Sequence, residues 1–257
     1  MEVGIPRSRY YEIQVMHMNT RYLIRIAALL TAVALTIAGS CYAVSRTRSR
    51  LLETGTAAAQ KQVIILDAGH GGADGGCSSA AGDVEKHINL AVLLDLKAML
   101  QASGYEVLTT RETDVSIHDP GTEGLANQKR SDMDNRLALF NSVDGAICVS
   151  IHQNQFTDPK YSGAQMFYSE TNRHSAELAQ TLQSQFVAFL QPENHREIKL
   201  CGKELFLCYF SENPTVMAEC GFLSNPEEAA LLVTEDYQQK VAFTLYAGIT
   251  QYCAAQK

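Results

Sequence analysis

The body of this sequence has no cluster of lysine and arginine, and the net charge of the whole chain is −7, so the basic face of a nucleic-acid binder is missing. No cysteines are spaced C-x-x-C, and seven cysteines in 257 residues form no dense framework. Cys148 and Cys220 lie inside apolar runs, where a thiol behaves as a small hydrophobe. The exported cysteines are therefore expected to be core thiols with at most one disulfide. There is no internal repeat, no low-complexity tract and no H-E-x-x-H helix. An apolar run long enough to span a bilayer, which takes about 20 residues, is also lacking. The uncharged run Ile26–Ala38 falls short, and extending it to Tyr22–Val44 encloses Arg25.

That short run is still informative. Arg21 and Arg25 precede it and Gly39–Ala43 follow with small residues, the order of a secretory signal. Residues 1–43 are read as a signal peptide or membrane anchor with a leader, Met18 making the better start. A lipoprotein with Cys41 acylated is the weaker reading. Four arginines against two glutamates give this segment +2, which leaves −9 on the remainder. Residues 44–61, small and aperiodic at their core, are read as a linker, and residues 62–257 as one exported domain at the cell wall or membrane.

The domain is expected to be α/β, with a twisted, mostly parallel but mixed sheet of about six strands and helices on both faces. Val63–Asp67 is a β-branched strand running into a glycine-rich loop, Ala68–Asp83. Helical periodicity follows from Lys86 to Ser103-Gly104, then a second strand, Tyr105–Thr110. Residues 111–131 read as loop and Asp132–Asn141 as a helix. Ala146–Ile151, Ala164–Tyr168, Thr215–Cys220 and, more weakly, Leu205–Tyr209 read as strands. Helices are expected over 172–190, 226–232 and 235–254, and Asn225-Pro226-Glu227-Glu228 has the chemistry of a helix start.

Chemistry gathers at the strand ends. His70 follows the first strand, His152 ends the apolar run AICVSI, and Glu219 lies inside TVMAEC, where a carboxylate needs a partner or a catalytic reason. In open α/β sheets such ends converge on a ligand site. Two histidines, a carboxylate and an open position suit a hydrolytic zinc site, with a further carboxylate as acid and base. On spacing alone the oxygen ligand stays open among Glu85, Asp74 and Asp83, and His87 is a rival nitrogen ligand. Arg136, four residues after Asp132 on one helix, fits a surface ion pair better than a substrate carboxylate. A thiol hydrolase built on Cys220 and His152 is the remote alternative.

LDAGHGG, VEKHINLAV, SIHQN and AECGFLSNPEEAALL, in that order across residues 62–253, resemble the zinc-dependent N-acetylmuramoyl-L-alanine amidases of the Amidase_3 family. The resemblance implies His70, Glu85 and His152 as zinc ligands and Glu219 as the catalytic carboxylate. It further implies hydrolysis of the amide between N-acetylmuramic acid and L-alanine of peptidoglycan stem peptides. Ala68 stands where the family commonly has proline, and His87 where it has an acid. The connection Ser150–Asn172 is too short for an autoinhibitory helix. DPGTEGLANQKRSDMDNRLALFN and KYSGAQMFYS look most like the spore-cortex maturation amidases. That likeness implies a step toward muramic-δ-lactam and an activating protein partner. The alternatives are a general wall amidase of cell separation or lysis, and an inactive wall-binding homologue.

Overall fold

The chain divides into two compact units, Met1–Gln60 and Lys61–Lys257. The computed structural model describes residues 61–256 and, in the first unit, helical positions 23–25, 28, 31, 35, 36, 39 and 40. The expected start at Met18, the Cys41 region and the linker up to residue 60 lie outside the described residues. Among those described, no helix is long and apolar enough to cross a membrane.

The second unit is an α/β domain whose elements follow one another as β1 Val63–Ala68, α1 Glu85–Ala102, β2 Glu106–Thr109, α2 Leu125–Phe140, β3 Ile147–Asn154, β4 Gln165–Tyr168, α3 His174–Gln185, β5 Lys199–Leu200, α4 Phe206–Phe210, β6 Thr215–Phe222, α5 Pro226–Leu232 and α6 Glu235–Ala255. The six strands form one sheet in the order β2-β1-β3-β6-β4-β5. The β2, β1, β3 and β6 neighbours run parallel, and β4 lies antiparallel to β6. The sheet is therefore mixed and mostly parallel, as the sequence led us to expect.

Side-chain alternation along the strands sorts the sheet into two unequal faces. Ile64 and Leu66, Val149 and Ile151, and Val216, Ala218 and Cys220 point to the large core, where α1, α3 and α6 supply Val92, Leu96, Leu182, Val241 and Leu245. The other face carries a smaller cluster of Ile65, Cys148, Phe140 and Leu207, backed by α2 and α4. Asp67, Ser150, His152, Met217 and Glu219 share the parity of that thinner face. Apolar burial, worth about 25 cal/mol per Å², comes chiefly from the thick side, whose cluster is much the larger, which leaves the thin side able to carry polar groups.

Three local expectations are corrected. Leu205–Tyr209 is not a strand: Phe206–Phe210 forms the short helix α4, because its aromatic residues pack in a ring cluster on one another. The loop assigned to 111–131 ends early, since α2 begins at Leu125. Its first turns are polar and exposed, and the residues that meet the core, Met133, Leu137, Leu139 and Phe140, lie in its second half, so the apolar period starts late. The helix expected to run to 190 is α-helical to Gln185 and closes with a π turn, Phe186–Leu190. Asn225 does cap α5, its side chain accepting from the N–H of Glu227 and Glu228. The six cysteines of the domain are free, and all but the half-buried Cys77 are buried.

Candidate active site

β1 and β3 run side by side, and the chain leaving β1 must pass directly across His152. A Cβ on Gly69 would lie 2.2 Å from the His152 ring, so only glycine fits there. The next residue, His70, takes φ +64, a left-handed conformation no other non-glycine residue among those described adopts. This strain is of the kind that surrounding structure must hold in place. Two arginines do so from below. Arg136 donates to the carbonyls of Ala68 (2.9 Å) and His70 (2.8 Å), and Arg111 to those of Ala68 (2.9 Å) and Gly69 (3.0 Å).

Glu85 opens α1 and is 3% exposed. Its carboxylate is held by the N–H groups of Cys77 (2.9 Å) and Gln153 (3.0 Å) and by the Asn89 amide (3.1 Å). It faces His152 Nδ1 at 3.0 Å and His70 Nε2 at 3.3 Å. The close approach of the loop requires Gly76, whose Cβ would sit 2.4 Å from Glu85 Oε2. Burial pushes the Glu85 carboxyl up, but the hydrogen bonds and charges of His152 and His70 outweigh it and hold the group well below the carboxylate range. His152 moves the other way: burial lowers it, and the Glu85 hydrogen bond and charge leave it above its ordinary value.

His70, Glu85 and His152 thus each offer one donor atom, all within 4.8 Å of one another. Glu219 completes the group. It is the direct lateral neighbour of His152 in the β3–β6 register, and its Oε2 is buried with no hydrogen-bond partner. Burial raises its carboxyl to about 7, the nearby Glu85 charge adding to the rise and the His152 and His70 charges opposing it. All four residues line one cleft of about 550 Å³, with Lys129 at its rim.

The other candidates fall outside the cluster. Asp74 sits behind His70, its Oδ2 3.1 Å from Nδ1 and 3.1 Å from Lys129 Nζ. Burial raises the Asp74 carboxyl, but the His70 hydrogen bond and charge and the Lys129 contact bring it down to about 2. Asp83 accepts from Ser79 Oγ instead (2.6 Å), and His87 is exposed on α1. Cys220 projects into the thick core, away from His152, and burial pushes its thiol up. No thiol–imidazole pair therefore forms there. Arg136 does pair with Asp132 (2.6 Å), but as a buried group rather than a surface one, and it pairs equally with Asp67. Asp67 accepts in turn from Ser150 Oγ (2.6 Å) and Thr110 Oγ1 (2.7 Å). Sequence reading overlooked Arg111 and the anchoring role of Asp67. An aspartate ending an apolar strand raises the same question of a partner as Glu219, and Arg136 was its answer.

Comparison with known proteins shows the family. Residues 64–251 match the sequence profile of the Amidase_3 family, described as N-acetylmuramoyl-L-alanine amidase. The germination-specific N-acetylmuramoyl-L-alanine amidase of Bacillus subtilis (strain 168) is 36% identical over 193 residues, covering 74% of this chain and 79% of its own length. The N-acetylmuramoyl-L-alanine amidase AmiA of Escherichia coli (strain K12) is 26% identical over 269 residues, covering 85% and 88%. Among solved structures, the CwlD amidase of Clostridioides difficile, determined in complex with the GerS lipoprotein, superposes with a TM-score of 0.73 at 36% identity, over 76% of this chain and 100% of that one.

Proposed function

The chain belongs to the Amidase_3 family of N-acetylmuramoyl-L-alanine amidases and is a peptidoglycan amidase, and from that premise we propose how its own residues carry out the reaction. His70, Glu85 and His152 hold one zinc ion, and Glu219 is the proton carrier. Two imidazoles and a carboxylate with a side left open are the donor set of catalytic zinc. The donors here are already gathered within 4.8 Å. Asp74 behind His70 supplies the outer carboxylate that fixes the tautomer and tilt of a ligating imidazole. When bound, zinc contributes Lewis acidity, polarising an amide carbonyl and acidifying water to a pKa near ~7.

The observation that carries this reading is the Glu219 Oε2 atom, buried and unpartnered beside the three donors. In the metal-free chain burial raises this carboxyl to about 7, and a carboxyl with no partner of its own is free to take up and release a proton. Glu219 removes a proton from the attacking water and delivers it to the nitrogen of L-alanine as the amide to the muramic lactyl group breaks. Gly69 and Gly76 leave no side chain between His70, Glu85 and His152, and the open cleft admits a glycan strand with its stem peptide.

The 36% identity to a germination-specific amidase supports a place in spore-cortex maturation, where stem-peptide removal precedes muramic-δ-lactam formation. The Clostridioides difficile amidase was determined with a lipoprotein bound, which supports a lipoprotein-like activating partner here. The substrate places the work outside the cytoplasm. Mass spectrometry of peptidoglycan digested by the purified chain tests the reaction, with metal analysis of the same sample. Intact stem peptides beginning at L-alanine and one zinc per chain are expected. Glycan fragments, cuts within the stem, or full activity after stringent chelation refute it.

A further inference from the structure

One wall of the cleft is a short segment bounded by two cysteines. Cys201 follows β5, and its N–H donates to the carbonyl of Tyr168 (2.8 Å). Cys208 lies in α4, and its Sγ points at the carbonyl of Phe167 (3.5 Å). The two residues are thus moored to consecutive carbonyls of one strand, β4. They pack together against Met217 of β6 in a cluster of their own, with Phe167, Leu205 and Tyr209 around it. Both side chains are thus enclosed in the same small apolar cluster. Between them, Glu204, Leu205, Phe206 and Leu207 line the same cleft as Glu219. Neither thiol has any part in the amidase chemistry.

We propose that Cys201 and Cys208 form a disulfide as the exported chain folds, and that this bridge fixes the Glu204–Leu207 wall of the cleft. The proposal rests on export, since disulfides persist in oxidising compartments, and not on the zinc reading. The oxidant is an external disulfide, either a thiol–disulfide oxidoreductase or oxidised glutathione. The Cys201 sulfur attacks one sulfur of that disulfide and releases the other as a thiol. The Cys208 sulfur then displaces the carrier from Cys201. Two protein S–H groups and one external S–S bond become one protein S–S bond and two external S–H groups. Both residues are nearly enclosed once folded, at 5% and 0% exposure, so exchange precedes closure and the finished bridge is shielded from small reductants.

The test is made on the full chain refolded in excess oxidised glutathione, unfolded in iodoacetamide and digested with trypsin. Cleavage after Lys199 and Lys203 separates the two cysteines. The expected product is Leu200–Lys203 joined through sulfur to the peptide beginning at Glu204, with fragment ions assigning the bond to Cys208 rather than Cys220. Backbone amides 202–207 should exchange hydrogen at least about tenfold more slowly in the oxidised protein than in the reduced one. Cys201→Ser should exchange at the reduced rate in either buffer, and Cys208→Ser serves as the second variant if the first folds poorly. Alkylation of both thiols after oxidative refolding, a bond to any other cysteine, or equal exchange rates overturns the proposal. Mass and exchange are read without any amidase assay, so a failure here is distinct from a failure of the proposed reaction.

Discussion

Replacing Glu219 by glutamine should disable the enzyme while stabilising its metal-free form, and the second effect has a pH signature. The carboxyl is raised from 4.5 to about 7 in the fold. A folded-state value above the unfolded one means the folded protein keeps a proton the unfolded chain has released. The associated stability is fully present below about pH 4.5 and is lost as the pH rises through 7. At 1.36 kcal/mol per tenfold change in proton affinity, ionising Glu219 in place costs the metal-free domain about 3 kcal/mol at pH 8 and under about 1 kcal/mol at pH 5. For a domain of this size that corresponds to about 6–12 °C in Tm as a ceiling. Glutamine keeps the shape and cannot ionise. Its own desolvation cost is the same at both pH values and drops out when they are compared. Thermal unfolding of the chelated wild type and Glu219→Gln at pH 5 and pH 8 is therefore the assay. The variant's advantage should grow by about 2–3 kcal/mol between the two, while turnover falls by about 10²- to 10⁴-fold. An advantage of equal size at both pH values, or wild-type turnover in the variant, refutes the assignment.

Asp74→Ala should lower zinc affinity by about 10- to 100-fold while leaving the three donors in place, as outer carboxylates behind ligating histidines do. Competition against a chromophoric chelator measures it, and unchanged affinity would contradict the role given to the His70–Asp74 contact. Gly69→Ala should abolish zinc retention, because its Cβ would sit 2.2 Å from the His152 ring; metal analysis of the folded variant decides, and a full zinc complement is the adverse result. Arg136→Met should cost about 3–5 kcal/mol, since it strands the buried Asp67 carboxylate. Burial raises Asp67, and the Arg136 charge with the Ser150 and Thr110 hydrogen bonds brings it below its ordinary value. The stability at stake is thus present above the unfolded pKa and lost as the pH falls through the folded one, so the deficit in denaturant titrations should narrow in acid.

The parts of this molecule legible in its sequence are those in which one residue had a single physical reason to be present. Thr215–Cys220 is apolar enough to be a buried strand, which made Glu219 conspicuous within it, and Asn225-Pro226 is chemically committed to starting a helix. His70, Glu85 and His152 are ambiguous on spacing, because the contacts that join them are not local: Glu85 meets His70 from 15 positions away and His152 from 67. Only the order of four blocks separated Glu85 from Asp74 and Asp83. Arg136 was misjudged because a period of four residues to Asp132 describes a helix surface equally well whether water or a sheet lies over it. The start of α2 was missed for the converse reason: a helix whose first half is solvated shows no apolar period to detect.

His152 and Glu219 are matched residues on adjoining strands, so their separation is set by the main-chain ladder of β3 and β6 and hardly at all by the side chains packed behind them. Backbone hydrogen bonds act here as a gauge block. Substitutions in the thick core can change its volume and stability without moving the ligand relative to the proton carrier, which leaves that core free to vary with temperature or host. A single-residue insertion or deletion upstream in either strand behaves quite differently. In β6 it turns the gauge by one tooth, buries Glu219 in the thick core and presents Ala218 or Cys220 to the cleft; in β3 it turns His152 away from the cleft in the same manner, and either way leaves the domain without its chemistry.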